Sequence, residues 1–554
     1  MDETDHTQAR GRNRGGSRRS TILTGMLALL VGMGRPCAGA QAEAEAEAKA
    51  GGSPFERTTT LTGGTPIDRA VLADLGRLGL PPAAVCSDAV FVRRAFLDLI
   101  GTLPTGVEAR DFILDSNPGK RAALADRLMR RDEFADYWAM RWGDLLRVRS
   151  EFPINLWPNA VQAYHRWIRT AMRDNLPYDQ FARQLLTSSG SNFRVPPVNF
   201  YRAMQSKDPV SIGQAVALTF MGVRPETWTA DRWAGLSTFF SQLGYKTTSE
   251  WKEEIILFDP HKAGENAGTN PAPIAAFPDG TRPPPAPDRD PRETFADWLI
   301  RPENPWFTRN LANRAWSWFL GRGIIHEPDD LRPDNPPANP ELLACLERDL
   351  VASHYDLRHL FRTIVTSQTY QLSSIPRTNC PEAEAHFASY VPRRLDAEVL
   401  IDALNQITGA TERYSSAIPE PFTYIPEDQR SIGLPDASIT SSFLEMFGRP
   451  ARDTGLESER NLRPSAEQCL HLLNSSHVQR KLTQSRKLDF LAQSRDNPRQ
   501  VVTGLYLLVL SRFPTDEEVA TAVGYSRASK LRPREALNDL AWALINSAEF
   551  QYRH

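Results

Sequence analysis

The sequence is poor in the side chains that usually advertise catalysis. Its 554 residues hold only ten histidines and five cysteines. No C-x-x-C pair occurs, so neither covalent haem attachment nor a cysteine-based zinc site has a basis in the sequence. There is no G-x-S-x-G elbow, no H-E-x-x-H, no Walker loop and no G-x-G-x-x-G after a strand. The commonest serine-hydrolase, zinc-protease, phosphate-loop and dinucleotide sites are thereby without their motifs. An excess of one charge is missing too: 65 Lys and Arg stand against 67 Asp and Glu, for a net charge of -2. That balance argues against a nucleic-acid partner, which asks for a basic surface. Beyond the N-terminus no apolar run is long enough to span a membrane.

What is present is aromatic and stiff. Hydrophobic residues make up 41% of the chain, with 12 Trp and 42 Pro, enough for real cores in two or three domains rather than a disordered chain. Arg10, Arg12, Arg14, Arg18 and Arg19 precede a short apolar run from Thr21 to Met33, and Ala38-Gly39-Ala40 follows. This is the grammar of a signal peptide over residues 1–40, which predicts export to the periplasm or cell envelope. Residues 41–62 open with QAEAEAEAKAGG and read as a low-complexity tether. After export four cysteines remain, Cys86, Cys345, Cys380 and Cys469. An even number in an oxidising compartment permits disulfides, though their spacing is irregular. Cys345 and Cys469 lie in apolar helical patterns and are expected to be buried thiols.

The remainder is written in helix signals, which predicts a mainly α, multi-helical protein of two domains with few short strands near their junction. Residues 63–260 form the first domain. Ser87 or Asp88 caps a run with Phe91, Ala95, Leu99 and Ile100 inward; Thr105 and Glu108 make a capping box; Phe134, Trp138 and Trp142 mark a further helix. Arg93, Arg94, Asp98, Arg141 and Asp144 are interleaved with these and suit ion pairs between helices. Trp228 to Leu243 reads as helix and Ile255 to Phe258 as strand. Residues 261–291, rich in Gly, Asn and Pro, predict an extended connector.

Residues 292–554 form the second domain. Asn304 and Pro305 suit an N-cap and first position, Phe307, Leu311, Arg314 and Trp318 share one face, and Gly321 and Gly323 end the helix. Asn310, Asn313 and Arg314 sit among aromatics and need partners, for which Asp329, Asp330, Asp334 and Asn335 are at hand. Pro392 to Ile407 reads as another helix, with Arg393, Arg394, Glu398 and Asp402 on its polar side. An internal echo links the two ends: LIGTLPTGVE (99–108) and VLSRFPTDEE (509–518) share Pro-Thr-x-x-Glu, and Glu133-Phe134 and Glu549-Phe550 follow in turn.

Two acidic groupings could carry chemistry. His326 with Asp329 and Asp330 offers ligands to a hard metal such as calcium, without EF-hand spacing. Glu398 and Asp402, one helical turn apart, suit the paired carboxylates of glycoside hydrolysis, and equally a salt-bridge network with Arg393 and Arg394. The catalytic candidates are therefore Asp329, Asp330, Glu398 and Asp402. The binding candidates are Arg93, Arg94, Asp98, Trp142, Asn313, Arg314, Asn335, Arg394, Glu459 and Arg460. No cofactor is predicted.

Several long segments together resemble one family. RRAFLDLIGTLPT, WAMRWGD and NLPYDQF look like a domain of unknown function numbered fifteen-forty-nine. ADWLIRPENPWFTRNLANRAWSWFLGRGI, EPDDLRPDNPPANPELL, SQTYQLSS, RRLDAEVLIDAL and QCLHLLN look like its partner, numbered fifteen-fifty-three. The resemblance implies an exported, planctomycete-type protein, often found with a planctomycete-type cytochrome c domain, in a family with no established activity. This chain departs from it twice. Many relatives carry C-x-x-C-H-x-H-P before a Trp-Thr segment; here Phe220 to Arg224 runs directly to Pro225 and Trp228. Many carry C-x-C-E-R; here Leu456 and Ser458 precede Glu459-Arg460. Both departures point away from a redox or metal centre at these places. The expectation is an envelope scaffold or binding protein working with secreted polysaccharide-degrading or cytochrome c-type partners. The alternatives are a metal-assisted or carboxylate-dependent polysaccharide hydrolase, and an accessory to cytochrome c electron transfer without its own haem.

Overall fold

Helix after helix begins on a side-chain cap. In the computed structural model, which describes residues 53–57, 59, 61–262, 274–284, 289–494, 497–529 and 531–554, helices account for 54% of the described residues. The signal peptide assigned to 1–40, most of the tether, and 263–273 and 285–288 of the connector lie outside the described residues. The longer helices of the first segment are α1 (Pro66–Leu78), α2 (Asp88–Ile100), α3 (Gly106–Leu114), α4 (Lys120–Leu128), α5 (Asp132–Leu145), α6 (Pro158–Arg173), α7 (Tyr178–Thr187), α8 (Pro209–Met221) and α9 (Ala230–Ser237). Those of the second are α10 (Pro291–Leu299), α11 (Phe307–Leu320), α12 (Pro340–Ala352), α13 (Leu357–Thr366), α14 (Ala397–Thr408), α15 (Ala466–Asn474), α16 (Ser476–Thr483), α17 (Arg486–Gln493), α18 (Pro498–Val509), α19 (Asp516–Ala528) and α20 (Pro533–Ile545).

The predicted caps act as expected. Ser87 accepts from Val90 N, and Thr105 and Glu108 form the reciprocal box that starts α3. Regular helix in α11 starts at Phe307, two residues later than Asn304 and Pro305 suggest. Asn304 Oδ1 still accepts from Trp306 N at 3.0 Å and Phe307 N at 3.1 Å, so the capping chemistry is there. Gly321 ends α11 at φ 82°, and a Cβ there would stand 2.5 Å from Arg393 Cδ, so position and packing both require glycine.

Two small antiparallel sheets interrupt the helices. β1 (Gly190–Ser191), β2 (Leu243–Thr247) and β3 (Glu254–Phe258) pair in the order β1-β3-β2, with Tyr245 and Gly190 both opposite Ile256. The predicted strand is thus present. The helix predicted up to Leu243 stops at Ser237, passes through one 3-10 turn, and gives way to β2, whose backbone finds partners on β3. A second correction concerns Pro392 to Ile407. Arg393–Arg394 form β4, paired with β5 (Tyr552–Arg553), and the helix begins only at Ala397. A strand partner overrides local helix propensity in both places, the neighbouring β3 in the first and the distant β5 in the second.

The core is shared by the two segments. Trp138 of α5 lies 4.2 Å between ring centroids from Phe361 of α13, and 5.2 and 5.7 Å from Trp318 and Phe319 of α11. Trp142, one turn on, meets Tyr178, Phe181 and Trp318. The connector is anchored at Phe277, which stacks at 4.9 Å on both Phe239 and Trp298.

The sequence echo has a physical counterpart. Gly101 and Ser511 occupy matching left-handed positions at φ 58° and 61°. Thr105–Glu108 and Thr515–Glu518 are both capping boxes. In each unit one arginine ties the capping glutamate to the glutamate of Glu-Phe. Arg131 reaches Glu108 at 2.8 Å and Glu133 at 2.6 Å; Arg512 reaches Glu518 at 2.7 Å and Glu549 at 2.6 Å.

All four described cysteines are free thiols. Cys86 is buried and Cys345 partly so, but Cys469 is exposed, against expectation. The buried stripe of α15 runs through Gln468 and Leu472, because the Gln468 carboxamide bonds Arg394 and the Met446 carbonyl, and Cys469 falls outside it.

Candidate functional site

Three polar or aromatic constellations compete for function. The largest is a buried lattice of carboxylates and guanidinium groups at the shared core. Asp98 of α2 meets Arg393 at 3.2 Å and Arg553 at 3.4 Å. Arg553 continues to Asp396 at 2.5 Å, which also receives Arg141 at 2.9 Å and Arg460 at 3.6 Å. Arg460 binds Asp144 at 2.7 Å and Glu398 at 2.6 Å; Arg452 reaches Asp144 and Arg449 reaches Glu398. Cations exceed anions here, and backbone carbonyls take the surplus donors: Arg393 donates to the Trp318 and Phe319 oxygens, Arg452 to those of Met140 and Val148. Burial alone would raise the pKa of Asp396, but Arg141, Arg553 and Arg460 together hold it well below the ordinary carboxylate range. Asp396 is thereby held as an anion, and the ion pairs around it tie helices of both segments together, which gives the lattice a structural role.

The second is a pocket of about 360 Å³ where α14 faces the turn before α3 and the start of α5. Thr102, Glu108, Arg131, Glu133, Asp402, Gln406 and Arg430 contribute to its wall. Asp402 accepts from Ser431 N at 2.8 Å and Ile432 N at 3.2 Å, with Arg430 at 3.5 Å. Burial nevertheless pushes its pKa above the usual aspartate value, against the pull of Arg430 and those N–H groups. Glu133 moves the other way, held low chiefly by its hydrogen bond from Arg131. One carboxyl raised and one lowered around a single pocket is the electrostatic arrangement that separates an acid from a base.

The third is an exposed aromatic face. Trp157 lies 6.4 Å from Trp251 and 5.5 Å from Phe422, and Lys252 Nζ sits over both indoles. Trp251 is 66% exposed and Phe422 49%. Phe152, on the loop leading to Trp157, and Tyr424, two residues past Phe422, are exposed as well. The backbone here is strained. Asn155 and Lys252 have φ of 61° and 62°, and Trp157 stands at φ 72°, ψ 148°, a region otherwise almost confined to glycine.

The sequence candidates are scattered among these. Glu398 belongs to the buried lattice and Asp402 to the pocket, so two neighbours on α14 serve different neighbourhoods. Asp329 bonds Arg314 at 2.7 Å and Glu457 N at 2.7 Å. Asp330 pairs with Arg332 at 3.2 Å, and His326 is exposed beside Glu327. These three are not brought together, and among the described residues no group of three or more His, Cys, Asp or Glu side chains is placed to hold a metal ion. Asn313 exchanges hydrogen bonds with the Ile325 backbone, and Asn335 donates to the His326 and Asp330 carbonyls. Of the four partners offered for Arg314, Asp329 is the one it uses.

The other binding candidates have structural partners. Arg93 donates to the Val509 and Phe550 carbonyls. Arg94 donates to Leu372 and His554 carbonyls and stacks over Tyr390 at 3.6 Å. Asp98 also accepts from the Tyr370 and Tyr390 hydroxyls. Trp142 is wholly buried, Arg394 covers Phe447, and Glu459 accepts from the backbone of Asp453 and Thr454. Asp396, Arg449, Arg452 and Arg553 were missed. For Arg449 and Arg452 the local signal was arginine density in FGRPARDTGLESER (447–460), but the acids nearest in sequence, Asp453, Glu457 and Glu459, are not the ones they use: Arg449 pairs with Glu398 and Arg452 with Asp144. Trp157, Trp251 and Phe422 were missed as a group because three distant loops supply them.

Comparison with known families places two matches in order along the chain. A model described as a protein of unknown function (DUF1549) matches residues 66–225, and one described as a protein of unknown function (DUF1553) matches residues 291–526. No curated protein and no solved structure matches. The chain belongs to the family that joins these two domains in this order.

Proposed function

We propose that this member of the paired-domain family is an exported binding protein that presents the Trp157–Trp251–Phe422 face to a polysaccharide, serving as a scaffold for degradative or redox partners in the cell envelope. The observation that carries this reading is the strained, exposed aromatic face itself. Exposed aromatic surface is costly to keep in water and marks contact sites, and a tryptophan held at a glycine-like φ, ψ is retained where the contact gains from it. Flat indole faces flanked by an ammonium suit the C–H faces and hydroxyls of sugar rings. The test is affinity electrophoresis of the untagged protein through gels containing soluble neutral and anionic polysaccharides. Retardation in at least one gel is expected, with binding at least tenfold weaker in Trp251→Ala/Phe422→Ala. An unretarded parent, or a double variant retarded equally, overturns the reading.

A carboxylate-dependent hydrolase is the second reading, and Asp402 favours it: a carboxyl of raised pKa lines the pocket together with the depressed Glu133. On this reading the protein releases reducing ends from a bound polysaccharide, and Asp402→Asn reduces that rate by about 10²–10⁴-fold while leaving gel retardation unchanged. Absence of reducing-end release by the parent across the retarding polysaccharides removes this reading and leaves the first intact.

A further inference from the structure

A corner between two helices brings two histidines together. Ser475 ends α15 and caps α16, its hydroxyl accepting from Val478 N at 3.2 Å. This tight joint sets His471, in the last turn of α15, against His477, in the first turn of α16. His471 Nε2 and His477 Nδ1 face each other at 3.4 Å. That is long for an N–H···N hydrogen bond. It is the separation of two imidazole nitrogens on one tetrahedral ion, about 3.3–3.4 Å when each metal–nitrogen bond is about 2.0–2.1 Å.

The surroundings fix the rings for that role. His477 Nε2 lies 2.8 Å from Glu412 Oε2, which directs its proton to the carboxylate and leaves the Nδ1 lone pair toward His471. Glu412 is itself held by Lys481 at 2.9 Å, and Lys481 is anchored on Asn405 Oδ1 and the Thr411 carbonyl. The burial that would raise the pKa of Glu412 is outweighed by these His477 and Lys481 contacts, so it stays an anion. Phe443 and Phe447 wall the pair on one side, their ring centroids 5.7 and 6.1 Å from that of His471. Both histidines are partly open to solvent, which leaves further coordination positions to water or an incoming ligand.

We propose that His471 and His477 form a two-histidine site for a borderline transition-metal ion of the Zn²⁺ or Cu²⁺ class, with Glu412 orienting His477 from behind. Imidazole donors suit these ions and not calcium or magnesium. Asn405 and Thr411, which anchor Lys481 behind Glu412, also line the pocket at Asp402, so the two sites share a wall.

Calorimetric titration of the untagged protein with ZnCl₂ tests it. One equivalent of zinc is expected to bind, with affinity at least tenfold weaker in His471→Ala and in His477→Ala, and about tenfold weaker in Glu412→Gln. A variant-free measurement guards against loss of folding: zinc should protect His471 and His477 of the parent from diethylpyrocarbonate, read by peptide mass spectrometry. Zinc binding that survives both alanine substitutions, or no protection of these two residues, overturns the proposal.

Discussion

Replacing Asp396 with asparagine is expected to cost about 3–5 kcal/mol of folding stability, the range for breaking a buried ion pair from one side. Asparagine keeps the shape of the side chain and removes the charge that Arg141, Arg553 and Arg460 share. None of the three can turn to solvent, since each is buried. Urea unfolding of parent and variant measures the effect as a lowered midpoint at unchanged slope; a difference under about 1 kcal/mol, the range of an exposed pair, would show that the neighbouring acids can take over. The sign with pH follows from the depressed pKa. Asp396 in the folded state lies below its unfolded value, about 3.9, so its stabilisation is fully present above that pH and drains away as the pH falls further. The parent should lose stability steeply in acid, and Asp396→Asn should lose less over the same interval.

Trp138→Ala is the second large effect, at about 3–5 kcal/mol. The indole is 1% exposed, donates to the Leu99 carbonyl at 3.1 Å, and fills the space between α5, α11 and α13. Its neighbours come from both family segments, so the cavity weakens both. Scanning calorimetry should therefore show one transition in the parent and one, at lower temperature, in the variant. Two resolved transitions would mean that residues 66–225 and 291–526 melt separately, and would refute the shared core as their common support.

These effects also mark where reading the sequence succeeds. The caps at Ser87, Thr105 and Asn304 and the stop at Gly321 are local chemistry and were legible at once. So were Trp138, Trp142 and Trp318, because a helical stripe of aromatics has nowhere to go but inward. Glu398 shows the limit. Its polar neighbours Arg393 and Arg394 suggested a local network, but both sit on β4 before the helix begins. Its actual partners are Arg449 and Arg460, some fifty to sixty positions away. The aromatic face and the histidine corner failed for opposite reasons. Trp157, Trp251 and Phe422 are dispersed over three loops with no period to link them, whereas His471 and His477 are close in sequence but on two helices, where spacing alone gives no distance.

The buried lattice has a consequence for how the molecule reaches and leaves its folded state. Arg141 and Asp396 are separated by 255 positions, Asp144 and Arg460 by 316. Closing such loops costs entropy before any contact rewards it. Ion pairs of such span are expected to form late, so Asp396→Asn should speed unfolding while leaving the refolding rate nearly unchanged, which stopped-flow kinetics in urea would read. Interactions absent from the transition state act on the way out rather than the way in. On that expectation the ion pairs at Asp396 bear on how long the folded chain persists more than on how fast it forms.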